Sequence, residues 1–282
     1  MLRVEGQDAA DFLNAQCTAM FDEQADATVQ IAALADPKGR VLSIFHAWCE
    51  DDAWHLSVPA GEAEWLCSYL ARFVFRSQVR IAPASERHLL GVAGSEAAAA
   101  LAAVGLPAPK QDEFVHAGSL VVVRLAGNRW LAIGEETALA DVAHTLASHV
   151  SSSDASAWRR ARLLAGEPEI RTETRGRFLP QMLGLVELGT VSFRKGCYPG
   201  QEVIARAQYL GRVKRARALF RLDANPEAGS TIELEGSRLE VLDSAAIPEG
   251  GALVQAVAPS PLPPELSPHT YAARVSESSN DS

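Results

Sequence analysis

The chain has 282 residues, enough for about two domains of ordinary size. Apolar residues make up 48% and charged residues 22%, which excludes a disordered chain and a miniprotein stapled by disulfides. The formal charge of −9 argues against a general nucleic-acid binder.

The longest apolar run, Ala97–Val104, is far short of the roughly 20 residues that span a bilayer. The start, MLRVEGQDAADFLN, lacks the basic region and long apolar core of a signal peptide. Cys17, Cys49, Cys67 and Cys197 are widely spaced, with no CxxC pair and no disulfide framework. A reducing cytoplasm is the expected compartment, with no membrane partner.

A strand at Leu2–Val4 leads into a helix from about Asp8, with Phe12 and Leu13 on its apolar face. Apolar runs at Val29–Leu34 and Val41–Trp48 flank Asp36-Pro37-Lys38-Gly39, which is strong turn chemistry. Trp54–Val58 predicts a third strand and Glu62–Phe73 a helix. Strands follow at Val79–Ile81 and Leu89–Val92. The middle of the chain repeats this vocabulary without a short internal repeat: a helix at Glu96–Val104, strands at Leu120–Leu125 and Trp130–Ile133, and a helix at Ala138–Val150. Serines from Ser151 to Ser156 punctuate the chain. This order predicts α+β layers with antiparallel sheets. Beyond Arg212 come four short strand-like runs, Ala216–Leu222, Thr231–Glu235, Arg238–Leu242 and Ala252–Val257, a pattern that suits a small barrel or sandwich. From Pro259 the Pro- and Ser-rich composition predicts a flexible tail.

Charge is concentrated. Between Trp158 and Arg217 there are 13 Lys and Arg against 5 Asp and Glu, so the rest of the chain is strongly acidic. Such a stretch either faces an anionic partner or pairs with the acidic remainder across an interface. Within it lies Arg194-Lys195-Gly196-Cys197-Tyr198-Pro199-Gly200-Gln201-Glu202. Gly196, Pro199 and Gly200 predict a tight turn, and Gln201–Leu210 can then begin a helix. Two cations and a helix start near Cys197 favour its thiolate, which would make it a nucleophile, a redox centre or a soft-metal ligand. The alternative is a small cysteine buried in a packed turn. No histidine carries a protease signature, and no metal-ligand spacing occurs.

The stretch Lys195–Gly211, KGCYPGQEVIARAQYLG, resembles the signature of the YgfZ family, folate-binding proteins related to the aminomethyltransferase (T-protein) of glycine cleavage. Gly6–Thr18, Asp36–Arg40, Glu86–Gly94 and Ala157–Pro168 carry the same resemblance. It implies a three-domain ring of the aminomethyltransferase type, with two α+β (ferredoxin-like) domains and a C-terminal β-barrel. The corresponding boundaries are 1–40 with 153–211, then 41–152, then 212–258, with 259–282 as tail. The implied cofactor is tetrahydrofolate or a derivative. The implied role is in iron–sulfur cluster assembly or repair, and through client enzymes in tRNA modification. Partners would be folate and iron–sulfur client or assembly proteins.

On this resemblance Cys197 is the functional thiol, with Lys195 assisting it. Trp158 matches a tryptophan at the folate site, where an indole face stacks on a pterin; its alternative is core packing. Tyr198, Gln201 and Glu202 would shape the loop or contact the ligand. Arg162, Arg206, Arg212, Lys214 and Arg215 would face folate carboxylates. Two departures speak against aminomethyl transfer. The strand Val41-Leu42-Ser43-Ile44-Phe45 lacks the transferase's carboxylates, and Leu164 stands where the transferase has a pterin-contacting Glu. A folate-dependent one-carbon transferase and an RNA-binding module remain as alternative readings.

Overall fold

The computed structural model describes residues 1–22 and 27–269. Three antiparallel sheets organise them. The first begins with β1 (Leu2–Glu5) and α1 (Ala9–Gln16), whose Phe12 and Leu13 are buried at the spacing of one helical face. Strands β2 (Gln30–Ala35), β3 (Val41–Glu50) and β4 (Ala53–Ser57) follow, then α2 (Ala63–Ala71) and β5 (Arg80–Pro83). Their order in the sheet is β2-β3-β4-β1-β5. β3 is buried along most of its length because the sheet is covered on both faces, which is why it reads as a continuous apolar run.

The second sheet uses the same plan. β6 (His88–Ala93), α3 (Ala97–Ala103), β7 (Phe114–Ala117), β8 (Leu120–Leu125), β9 (Arg129–Gly134) and α4 (Glu136–Leu146) give the order β6-β9-β8-β7. β7 escaped the sequence reading because His116 and the lone Phe114-Val115 pair leave too short an apolar signal. The repeat that sequence did not show is structural. Both units run strand, helix, three-strand meander, helix, with the first strand pairing the fourth. Gly6 and Gly94 occupy one place in it, at φ 122 and 119°, each accepting the N–H of the alanine that opens the next helix.

After α5 (Ala155–Leu164) the chain passes through a 3-10 turn at Pro180–Leu183 and α6 (Gln201–Tyr209). It then enters β10 (Arg215–Leu222), β11 (Thr231–Leu234), β12 (Ser237–Ala246) and β13 (Ala252–Pro259). These pair as β10-β13-β12-β11. Among the described residues β10 and β11 do not pair, so this is an open sheet where a closed barrel was expected. Its apolar face is covered by the turn Pro264–His269, whose Leu266 packs on Phe220, Leu239, Ala256 and Ala258. The start of the expected tail is therefore built into the structure, while residues 270–282 lie outside the described residues. The boundary expected at 40/41 falls within the β2–β3 hairpin of a single sheet.

Sheet faces join these parts. Trp48 and Val29 of the first sheet region pack on Val121, Val123, Leu131 and Ile133 of the second. Leu163 of α5 packs on Leu219, Ala245 and Leu253 of the third. Ala33, Ala35, Val41 and Ile44 hold Phe178, Leu183, Tyr198 and Ile204 against the first sheet. No helix among the described residues is long and apolar enough to cross a membrane.

Candidate functional site

Two motifs far apart in sequence meet at the Cys197 loop. In the β2–β3 turn the Gly39 N–H donates to the Asp36 carbonyl at 2.8 Å. The Asp36 carboxylate accepts from the Lys38 and Arg40 N–H groups at 2.9 and 2.8 Å. Gly200, at φ 77°, opens α6 directly against this turn. A Cβ on Gly200 would lie 2.4 Å from the Asp36 carbonyl oxygen and 2.6 Å from the Gly39 Cα, so only glycine fits. Gly39, at φ 72°, in turn faces Val203 and Ile204.

Around this contact the signature residues separate by role. Cys197 is exposed, which removes the reading of it as a buried packing residue. Tyr198 points the other way, 6% exposed in the core beside Phe178 and Ile204, its hydroxyl buried without a hydrogen-bond partner among the described residues. Burial pushes that phenol up to about 12. Gln201 is half-buried and its N–H donates to the Tyr198 carbonyl at 3.2 Å, while Glu202 and Arg206 are exposed on α6.

The Lys195 side chain is held by backbone carbonyls. Its Nζ donates to the carbonyls of Cys17 and Ala19 at 2.6 and 2.5 Å, and sits 5.1 Å from the Tyr198 ring centroid. Burial pulls the ammonium down to about 8, opposed by Cys17. Burial also pushes the Cys17 thiol up to about 12, opposed by Lys195. Lys195 is thus a brace between the loop and the end of α1.

Trp158 lies elsewhere, on α5. Asp154 caps this helix, accepting from the N–H groups of Ser156 and Ala157 at 3.0 and 3.1 Å, a contribution of about 1 kcal/mol. The Trp158 ring covers Gly91 of β6 so closely that a Cβ there would meet it at 2.7 Å, and the Arg129 guanidinium stands 5.3 Å from its centroid. The indole lines a cleft of about 420 Å³ with Leu90, Val92, Leu146, Val150 and Leu164. No hydrogen bond, ion pair or ring contact joins Trp158 to the Cys197 loop among the described residues.

Arg162, assigned in sequence to a ligand, is 4% exposed and fully engaged. It pairs with Asp243 and Glu169 and donates to the Glu167 carbonyl. Beside it Glu167 pairs with Arg129 and His46, drawing β9 and β3 together. Burial works to raise the Glu167 carboxyl, but His46 and Arg129 overcome it and hold the group well below the usual carboxylate range. Arg215 is likewise paired, with Glu240, whereas Arg212 and Lys214 are exposed. Sequence reasoning missed the Glu167 junction, because an Arg, a His and a Glu on three separate elements leave no spacing to read. The contact of Gly39 with Gly200 leaves its signal in the two glycine turns, Asp36–Arg40 and Gly196–Gly200, whose meeting is non-local.

No family model matches the chain. The chain is 32% identical over 272 residues to the "tRNA-modifying protein YgfZ" of Escherichia coli O157:H7, covering 93% of this chain and 83% of that protein. It is 31% identical over the same span to the protein of that name from strain K12. Its fold is similar to the crystal structure of the glycine cleavage system aminomethyltransferase T from Bartonella henselae, with a TM-score of 0.73 at 20% identity over 92% of this chain and 75% of that one. Identity at this level, sustained over 93% of the sequence, means that the chain belongs to the YgfZ family.

Proposed function

We propose that this protein is a cytoplasmic, folate-binding accessory protein for iron–sulfur cluster assembly or repair in client enzymes, and that it supports tRNA modification through them. The observation that carries this reading is the exposed Cys197, presented by a loop that Gly200, Asp36 and Lys195 hold rigidly from behind. In this role Cys197 gives up its proton to water and its sulfur ligates a cluster iron. One cysteine leaves the other iron positions to the client or to external thiols. Tyr198 and Gln201 shape the loop, and Glu202 and Arg206 face the partner from α6.

The Trp158 cleft suits a pterin, since it is an apolar slot with an aromatic wall and a volume within the usual range of roughly 300–1,000 Å³ for small-molecule sites. Leu164 lines it at the place of the transferase's glutamate, and the carboxylate in its lining, Asp154, caps α5. The likeness to an aminomethyltransferase supports reading the three sheets as the lobes of a three-domain ring. It does not favour transferase chemistry here, because within Val41–Phe45 the polar side chain is Ser43, 2% exposed, and no acid is present to stabilise charge developing on a folate nitrogen.

Two measurements test the reading. Tetrahydrofolate is titrated into the protein and into Trp158→Ala, following tryptophan fluorescence, and saturable binding that weakens in the variant is expected. In a strain lacking the endogenous relative, the wild-type chain should restore iron–sulfur enzyme activity and Cys197→Ser should not. Full rescue by Cys197→Ser would sink the thiol role.

A further inference from the structure

Of the cations that sequence assigned to folate carboxylates, Arg162 is spent on Asp243 and Glu169 and Arg215 on Glu240, while Arg206, Arg212 and Lys214 are exposed. Arg217, which the sequence reading left unassigned, is different. It stands on β10 with its Nε–H donating to the Leu183 carbonyl at 2.9 Å. Among the described residues its two Nη groups meet no hydrogen-bond acceptor and no carboxylate within ion-pair distance. They are framed by Gly166 and Gly184, at φ 70 and 71°, where a Cβ would come 3.4 Å from Nη1 and 3.0 Å from Nη2. Two glycines thus keep open an edge of the guanidinium that no protein group among the described residues pairs with.

The nearby acids do not close this edge. Glu187 and Glu167 act on Arg217 only through space, and Glu167 is already held by Arg129 and His46. Burial lowers the Arg217 pKa from the ordinary guanidinium value, and the two glutamates offset this only in part. A half-buried cation with an unfilled planar fork is matched by a planar oxyanion, which supplies two parallel charge-assisted hydrogen bonds. Gly166 follows closely on Leu164, which lines the Trp158 cleft, so the fork lies just past the same helix end.

We propose that Arg217 is a carboxylate-binding residue whose Nη edge, opened by Gly166 and Gly184, receives a carboxylate of a glutamate-tailed ligand. With folate as that ligand, which rests on the function proposed above, Arg217 holds the tail while Trp158 holds the pterin.

Calorimetric titrations of the full chain, Arg217→Met and Arg217→Lys use three probes: tetrahydrofolate triglutamate, tetrahydropteroate, which has the pterin and no glutamate, and tri-γ-glutamate alone. Arg217→Met should weaken the glutamylated folate about tenfold or more, the loss expected for a charged hydrogen-bonded pair, and leave tetrahydropteroate unchanged. Equal binding of the glutamylated folate by wild type and variant, or equal losses for both pterins, overturns the proposal. Should wild type bind neither pterin, the folate reading fails and tri-γ-glutamate decides. Binding that Arg217→Met abolishes upholds a site for another carboxylate ligand, and no binding to wild type removes it. If Arg217→Met does not fold, Arg217→Lys, which keeps the charge and loses the fork, is read in its place.

Discussion

The two strand–helix–meander–helix units share a plan, yet they use it differently at three matched places. After the first strand, Gly6 is wedged against the chain leading to β5, whereas Gly94 stands in open space. At the second-to-third strand turn, the first unit carries Asp36–Arg40 docked on α6, and the second has a short turn at Gly118 with nothing near it. At the outer edge, β1 is paired by β5, while among the described residues β6 pairs β9 alone and carries Trp158 over the face of its Gly91. One topology therefore supplies a braced unit that supports the Cys197 loop and an open-edged unit that lines a cleft. Function enters through what is added at equivalent positions.

The glycine pair gives the largest test. Gly6→Ala would put a Cβ 2.1 Å from the Gln78 carbonyl oxygen at φ 122°, so backbone must move, and a loss of about 4 kcal/mol is expected. Gly94→Ala carries only the strain of its φ, about 1–3 kcal/mol. Urea unfolding of the two variants checks the difference, and equal losses would mean that the two units are equivalent here.

The second test strikes where the units meet. Glu167→Gln leaves the buried Arg129, with the half-buried His46 beside it, opposite a neutral amide, and about 3 kcal/mol should be lost at pH 7. The sign of the pH dependence follows from the depressed carboxyl. Its contribution is fully present above the unfolded glutamate value of about 4.3 and is lost as pH falls below it. Thermal midpoints between pH 7 and 3.5 should fall more steeply in wild type than in Glu167→Gln.

Much of this was legible in sequence, and the reasons differ by region. Strands β8 and β9 and helices α1 and α6 were readable because each buries one regular face or one apolar run. The open C-terminal sheet was not, because the same four short strands suit a barrel, and only the burial of Leu266 shows that a turn covers the face. The boundary at 40/41 followed motifs, whereas strand pairing is non-local. At the site, Cys197 and Trp158 were identifiable by residue type and motif. The contacts of Arg162 and Lys195 were not, because charge alone does not tell whether a cation faces solvent, Asp243 or two backbone carbonyls.

Smaller effects sharpen the turn comparison. Gly39→Ala adds a Cβ 3.2 Å from Val203 and Ile204 to a left-handed position, while Gly118→Ala meets only the left-handed strain. Losses of about 2–3 and about 1–2 kcal/mol respectively are expected in the same unfolding experiment. Gly39→Ala should also loosen the Cys197 loop, read as faster alkylation of Cys197 or faster exchange of the Ile204 amide, which donates to the Gly200 carbonyl.

The smallest stability effect is expected at Cys197 itself. The side chain is exposed and packs in none of the apolar clusters, so Cys197→Ser should change unfolding free energy by no more than about 0.5 kcal/mol. Under the proposed role the same substitution removes the sulfur that meets the cluster, and rescue of iron–sulfur enzymes should collapse while the fold is untouched. A variant that loses both stability and rescue would instead make Cys197 part of the frame. That outcome would contradict the division seen here, in which Gly200, Tyr198 and Lys195 carry the structure of the loop and Cys197 is turned outward.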